Sequence, residues 1–173
     1  MTYCVAMRLK AGLLFASDTR SNAGIDHIST FRKMTVFEQP GERMICVLNA
    51  GNLATTQSVL SLLRQRCEHE GAHLMNLPSL YDAAELLGRV LKEVLARDAD
   101  KATQGQGVDF GASFIIGGQI RGEAPRLFQV YPQGNFIEAS EDTPYFQIGE
   151  AKYGKLHSFP TRRSSDLDRK SVV

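Results

Sequence analysis

The chain has 173 residues, of which 43% are hydrophobic and 23% charged, and its formal net charge is +1. This size and apolar content are enough for one domain with its own core. Acidic and basic residues are interspersed, which argues against a nucleic-acid partner. No apolar run approaches the ~20 residues of a membrane span, and the N-terminus lacks the layout of a secretory signal. We therefore expect a cytoplasmic protein without a membrane partner.

The N-terminal part of the chain is predicted to consist of strands. Residues 2–9 alternate only roughly between apolar and polar positions, which suggests a strand, and the turn at 10–12 leads back into a second strand over 13–17. The apolar run inside 43–49 is typical of a strand that is buried on both faces. Short strands are also predicted over 28–30 and 34–38.

Two helices and further strands follow. Apolar residues at helical spacing predict one helix from about 53 to 70 and a second from Pro78 to about 95. A polar loop over 98–106 then leads into strands. These strands are predicted over 111–120, 126–131 and 135–139. Strands, then two helices, then strands indicate an α+β fold with a sheet layer and a helix layer.

Thr2 is the residue that most clearly suggests chemistry. Removal of Met1, which is usual before a small residue, would give Thr2 a free α-amine beside its hydroxyl. That amine titrates at about 7.7–8.0, so it can accept the hydroxyl proton near neutral pH. Lys33, held charged by Asp18, would lower the pKa of the amine and stabilise the alkoxide. Each residue alone also fits an ordinary structural role, so the hypothesis depends on all three together.

The three cysteines, Cys4, Cys46 and Cys67, have no metal-like spacing. They fit reduced thiols in the cytoplasm, and Cys46 lies in an apolar run that predicts burial. Cys4 is a rival nucleophile, but it would lack the free amine of Thr2. We predict no cofactor and no bound metal.

Five stretches follow a known family pattern in order and spacing over residues 2–156. They read TYCVAMRLKAGLLFASDTRSNAGIDHISTFRKM, LNAGNLATTQ, GASFIIGGQI, LFQVYPQGNFI and YFQIGEAKYGK. In these stretches the chain resembles the proteasome-type β subunits of the N-terminal nucleophile hydrolases, and most closely their bacterial Anbu branch. The resemblance implies a four-layer αββα sandwich in a homo-oligomeric ring or helical stack. It also implies hydrolysis of peptide bonds in peptides or unfolded proteins.

The resemblance also implies roles for individual residues. By position, Thr2 matches the nucleophile and general base, and Asp18 and Lys33 match its carboxylate and lysine. Gly51 matches the glycine whose N–H contributes to the oxyanion hole, a role that suits a strand-to-helix junction. Arg20 and Asn49 match positions near the pocket for the substrate side chain.

The C-terminal part departs from the family pattern. Glu150 stands where many proteasome subunits have a serine that supports the terminal amine. Residues 157–173 resemble a translated sequencing adapter followed by its reverse complement, so we expect a non-native, disordered tail. We therefore expect the domain over 1–156 to be truncated at its C-terminus. Apolar surface should be left uncovered, and catalysis could be incomplete.

Three other functions remain open. His69, Glu70 and His73 match the H-E-x-x-H motif of zinc proteases, but Gly71 and the nearby Pro78 favour a connection between helices over a metal-binding helix. A catalytically silent, ring-forming subunit is a second alternative. An amidase or acylase that uses the same nucleophile on small amides is a third.

Overall fold

The computed structural model describes residues 3–18, 21–22, 28–29, 32–102 and 109–149, with the backbone alone described at 21–22, 28–29 and 99–102. The described residues form ten strands and two helices. The strands are β1 (Tyr3–Leu9), β2 (Gly12–Ser17), β3 (Ser21–Asn22), β4 (Ile28–Ser29), β5 (Met34–Gln39), β6 (Arg43–Gly51), β7 (Ala112–Ile120), β8 (Arg126–Val130), β9 (Phe136–Glu138) and β10 (Tyr145–Gly149). The helices are α1 (Leu53–Cys67) and α2 (Leu80–Ala102).

The strands form two antiparallel sheets and a short ribbon. The larger sheet is a meander of five strands in the order β5-β6-β7-β8-β9. The smaller sheet has the order β10-β1-β2, so β1 lies in its centre, with Cys4 opposite Ser17 on one side and Ile148 on the other. Among the described residues, β3 and β4 pair with each other as the two-stranded ribbon. β1 is therefore held by backbone pairing along both of its edges.

The two sheets pack face to face, and the helices cover the other side of the larger sheet. Cys4 and Ala6 on β1 are fully buried against a cluster that includes Leu48 and Ile115 of the larger sheet. A second cluster lies between that sheet and the helices. It includes Leu63, Leu87, Leu91, Phe114 and Phe128. The order of layers is therefore helices, five-stranded sheet and three-stranded sheet.

This arrangement explains the sequence pattern of β6. Every residue from Ile45 to Ala50 is buried, because one face of the strand meets the helices and the other meets the smaller sheet.

Close contact between α2 and the turn after β8 depends on Gly88, where a Cβ would collide with the carbonyl oxygen of Gly134.

The predicted α+β sandwich is confirmed, with local differences. Three of the four expected layers lie in the described residues. The predicted loop at 98–106 is wrong for 98–102, where α2 continues to Ala102. This stretch contains alanine and lysine, which favour a helix despite the charge. β10 was not predicted as a strand, and α1 ends at Cys67, before the predicted end at 70.

Several apolar side chains are exposed on the sheets. Leu14 on β2, Val36 on β5 and Met44 on β6 are examples. Within the described residues, neither helix combines the length and apolarity needed to span a membrane.

Candidate active site

Asp18 and Lys33 form an ion pair at one end of the two sheets. Asp18 directly follows β2, and Lys33 directly precedes β5. The Nζ of Lys33 lies 2.7 Å from the Oδ1 of Asp18. Lys33 is only 4% exposed, whereas the Asp18 side chain is 38% exposed. A buried ammonium is costly unless an anion compensates it, and Asp18 supplies that anion.

The same carboxylate is bound to the start of β1. The amide of Tyr3 donates to the Oδ1 of Asp18 at 3.0 Å, and the amide of Asp18 donates to the carbonyl oxygen of Tyr3 at 3.0 Å. The Tyr3 amide is the peptide nitrogen that joins this residue to Thr2 in the sequence. The Lys33–Asp18 pair is therefore fixed at the Tyr3 amide, where β1 begins.

The charge state of Asp18 follows from these contacts. Partial burial alone would raise the pKa of its carboxyl group, but the hydrogen bonds from Lys33 and Tyr3 and the positive charge of Lys33 outweigh that effect. The pKa of Asp18 therefore lies below its ordinary value of 3.8. At neutral pH Asp18 is an anion, as required to hold a charged lysine.

Asn49 connects Lys33 to β6. Its backbone amide and its Nδ2 both donate to the carbonyl oxygen of Lys33, at 3.0 Å and 3.1 Å. The Asn49 residue is 6% exposed, and its own carbonyl oxygen accepts a hydrogen bond from the Sγ of Cys4 at 3.5 Å. The side-chain nitrogen of Asn49 is thus engaged in holding Lys33. The predicted contact between Asn49 and substrate stays a prediction.

Cys4 is a poor rival nucleophile. Burial, with the negative charge of Asp18, outweighs the effects of Lys33 and Asn49 and raises the pKa of the Cys4 thiol to about 11. Burial likewise raises the pKa of Cys46 to about 12, and the predicted burial of Cys46 is confirmed. Because the thiolate is the reactive form of cysteine, neither thiol is activated near neutral pH.

Gly51 ends β6 in a conformation that requires glycine. Its φ is +108°, and an added Cβ would lie 2.5 Å from the carbonyl oxygen of Gly111. The neighbouring amides define the direction of its N–H. The Asn49 amide bonds to Lys33 on one edge of β6, and the Asn52 amide bonds to Gly111 on the other. Because successive strand amides alternate between edges, the Gly51 N–H points to the edge that carries Lys33.

The structure thus brings together four of the predicted site residues, Asp18, Lys33, Asn49 and Gly51. Thr2 and Arg20, and also Glu150, lie outside the described residues, as does the tail over 157–173. Their roles stay predictions. The hydrogen bonds of Asn49 to Lys33 were missed by the sequence analysis, and nothing in the local sequence signals them.

The H-E-x-x-H residues do not lie on a helix. α1 ends at Cys67, so His69, Glu70 and His73 all belong to the connection between the helices. The Nδ1 of His73 accepts a hydrogen bond from the Met75 amide at 3.1 Å. Across the described ranges, no group of three or more His, Cys, Asp or Glu side chains could hold a metal ion. The helical geometry that the zinc motif requires is absent here.

Two facing antiparallel sheets with two helices on the larger one are consistent with a proteasome-type fold. The chain belongs to the proteasome subunit family, whose model matches residues 2–173. A search of curated proteins gave no significant match.

Solved structures of Anbu proteins are similar to this chain. Anbu (ancestral beta-subunit) from Yersinia bercovieri is 61% identical, with a TM-score of 0.79, over 88% of this chain and 62% of that one. The helical assembly of the Anbu complex from Pseudomonas aeruginosa is 56% identical, with a TM-score of 0.82, over 88% of this chain and 63% of that one. Anbu from Hyphomicrobium sp. strain MC1 is 50% identical, with a TM-score of 0.76, over 88% of this chain and 63% of that one. The chain therefore spans less than two thirds of the length of these relatives. The sequence identities confirm the predicted similarity to the Anbu branch.

Proposed function

We propose that this chain is a threonine-type peptide-bond hydrolase in which Thr2, exposed by removal of Met1, is the nucleophile. One observation carries the proposal. The buried ammonium of Lys33 is bound to a carboxylate, that of Asp18, which also accepts the Tyr3 amide. A buried charge is expensive to maintain, and here it lies beside the residue that follows Thr2. Perturbed, partner-bound charges of this kind are typical of catalytic sites.

In the proposed first step, the α-amine of Thr2 takes the proton from the Thr2 hydroxyl, and the oxygen attacks the substrate carbonyl carbon. The carbonyl oxygen becomes an oxyanion. The carbon–nitrogen bond then breaks, and the departing amine takes the proton that the α-amine holds. The product is an ester between the substrate acyl group and Thr2.

In the second step, the free α-amine takes a proton from water while the resulting hydroxide attacks the ester. The acyl group leaves as a carboxylic acid, and the Thr2 oxygen regains a proton. Lys33 is proposed to act through its charge in both steps. Its positive charge favours the neutral form of the nearby amine and stabilises the alkoxide.

The Gly51 amide is the proposed donor to the oxyanion. Its N–H is directed to the Lys33 edge of β6, which is the side where the proposed substrate carbonyl would lie. Removal of one such donor typically costs about 3–4 kcal/mol of transition-state stabilisation. Arg20 and Asn49 are proposed to lie near the substrate side chain.

The proposed working form is a homo-oligomer, either a ring or a helical stack, that acts on peptides or unfolded proteins in the cytoplasm. The relative from Pseudomonas aeruginosa forms a helical assembly, which supports the stack. The cysteines of this chain are free, which suits a reducing compartment. A catalytically silent subunit would have no need of a buried lysine–carboxylate pair.

Turnover of a fluorogenic peptide tests the proposal. The Thr2→Ala variant should lose turnover with an unchanged melting temperature, whereas the matched control Thr143→Ala, in an exposed turn, should behave like the wild type. Intact mass measurement should show that Met1 is absent. Equal turnover by Thr2→Ala and the wild type would contradict the proposal, and an inactive wild type would favour the silent subunit.

A further inference from the structure

Asn52 fastens the junction between β6 and α1 to the segment that precedes β7. Its backbone amide donates to the carbonyl oxygen of Gly111 at 2.9 Å. Its side-chain Nδ2 donates to the carbonyl oxygen of Asp109 at 3.0 Å. Its side-chain Oδ1 accepts the Thr55 amide at 3.2 Å and so caps α1. One residue therefore uses three separate polar groups at a single junction.

The partner segment over 109–111 is itself held in place. The Oδ1 of Asp109 accepts the Gly111 amide at 2.7 Å, which closes a short turn. The Oγ1 of Thr55, on a fully buried residue of α1, donates to the carbonyl oxygen of Phe110 at 2.9 Å. All three carbonyl oxygens of 109–111 thus accept hydrogen bonds from Asn52 or Thr55. We call Asn52, Thr55 and residues 109–111 the junction latch.

The junction latch determines where Gly51 lies. The Gly111 carbonyl is packed so closely on Gly51 that no Cβ fits between them. Any movement of 109–111 relative to Asn52 would therefore move Gly51 and redirect its N–H. An error of about 1 Å in the position of a catalytic group can cost about a hundredfold in rate.

We propose that the Asn52 side chain is a positioning residue for the Gly51 amide, acting through its hydrogen bond to Asp109. This inference rests on the proposed function, in which Gly51 donates to the oxyanion. It goes beyond helix capping, since capping needs only the Oδ1 of Asn52. The Nδ2 contact with Asp109 contributes nothing to the cap and is explained by the latch.

Asn52→Asp separates the two roles. Aspartate caps a helix as well as asparagine does and suits its positive N-terminus, but it has no Nδ2 hydrogen to donate. Asn52→Ser removes the same donor without adding a charge and keeps a capping oxygen. The matched control is Asn76→Asp. In the connection between the helices, the Oδ1 of Asn76 accepts the His73 amide and its Nδ2 donates to the Gly71 carbonyl oxygen.

The experiment measures kcat, KM and the pH dependence of turnover on a fluorogenic peptide, together with the melting temperature. In both Asn52 variants, kcat should fall about ten- to a hundredfold, as for a displaced oxyanion donor. KM, the midpoint of the pH–rate curve and the melting temperature should remain those of the wild type. Asn76→Asp should match the wild type in kcat. Unchanged kcat in the Asn52 variants, or a fall in kcat that follows the melting temperature, would overturn the inference.

Amide hydrogen exchange separates failure of this inference from failure of the proposed function. The Asn52 variants should exchange the amide of residue 52, which in the wild type donates to the Gly111 carbonyl oxygen, faster than the wild type after correction for intrinsic rates, while β6 stays protected. If the wild type exchanges more slowly than the Asn52 variants but hydrolyses no peptide, the proposed function is contradicted and the junction latch is still supported. Exchange at the amide of residue 52 that is equal in wild type and variants overturns the latch, whatever the activity.

Discussion

A single oxygen of Asp18 binds both the ammonium of Lys33, at 2.7 Å, and the amide of Tyr3, at 3.0 Å. The carboxylate thereby joins the beginning of β5 to the beginning of β1 through two charge-assisted hydrogen bonds. Because β1 is the central strand of its sheet, this junction is fixed on both sides. The Lys33 charge is thus held at a defined place near the Tyr3 amide.

We predict that Asp18→Asn lowers the free energy of unfolding in a pH-dependent way. The pKa of Asp18 is lowered in the folded chain. Its ionised form therefore stabilises the fold above the unfolded pKa, and this contribution is lost as the pH falls through the lower folded pKa. The difference at neutral pH should be on the order of 1 kcal/mol, because Asp18 is partly exposed and water screens the pair.

The free energy of unfolding of the wild type and of Asp18→Asn is measured by urea unfolding at a series of pH values from neutral to acid. The two curves should converge in acid, where Asp18 is protonated. The exposed Asp142, changed to Asn, is the control and should show no such convergence. If the difference in free energy of unfolding between the wild type and Asp18→Asn were constant from neutral to acid pH, the result would argue against the ion pair.

We predict that Gly51→Ala damages both the fold and the proposed chemistry. Alanine at φ +108° is strained, and its Cβ would overlap the Gly111 carbonyl oxygen. The free energy of unfolding should fall by about 1–3 kcal/mol, and turnover should be lost. The matched control is Gly122→Ala, where φ is +82° but nothing lies within 4 Å of the added carbon. Equal losses in the two variants would mean that backbone strain alone matters, without the contact to Gly111.

We predict that the cysteines take no part in turnover. Cys4 and Cys46 are buried with raised pKa values, whereas Cys67 is half-buried. Iodoacetamide near neutral pH should therefore modify Cys67 first and reach Cys4 and Cys46 only after unfolding. Cys4→Ala should retain turnover. Rapid modification of Cys4 in the folded protein, with parallel loss of activity, would point instead to a cysteine nucleophile.

We predict that chelators leave the activity unchanged. His69 and His73 lie in the connection between the helices, so they lack the common helical face on which the zinc-protease motif depends. Incubation with EDTA, and the double variant His69→Ala/His73→Ala, should both leave peptide turnover at the wild-type level. Activity that disappears with EDTA and returns with added zinc would revive the metalloprotease alternative.

The elements that the sequence predicted well are those with a strong local pattern. The β1–β2 hairpin has a rough alternation and a tight turn at 10–12, and β6 and β7 are apolar runs between turn residues. β10 was missed because it is short and its partner β1 is distant in the sequence. Its buried Phe146 and Ile148, two residues apart, were the available signal.

The site could be predicted only in part for a similar reason. Asp18 and Lys33 could be singled out as a carboxylate and a lysine near Thr2, but their contact spans two strand ends and depends on how the sheets stack. The Asn49 bond to the Lys33 carbonyl is also non-local. Asn52, in contrast, carries a readable signal, because asparagine directly before an apolar helix is a typical N-cap.

Covalent labelling of the N-terminal residue tests the central claim most directly. The full chain is incubated with a peptide epoxyketone, which reacts with a hydroxyl and a neighbouring free amine, and the adduct is mapped by mass spectrometry. The account predicts one inhibitor per chain, attached to Thr2 with Met1 removed, and no adduct in Thr2→Ala or Lys33→Ala. Peptide turnover by a chain that carries no adduct at Thr2, or an adduct that persists in Thr2→Ala, would contradict it.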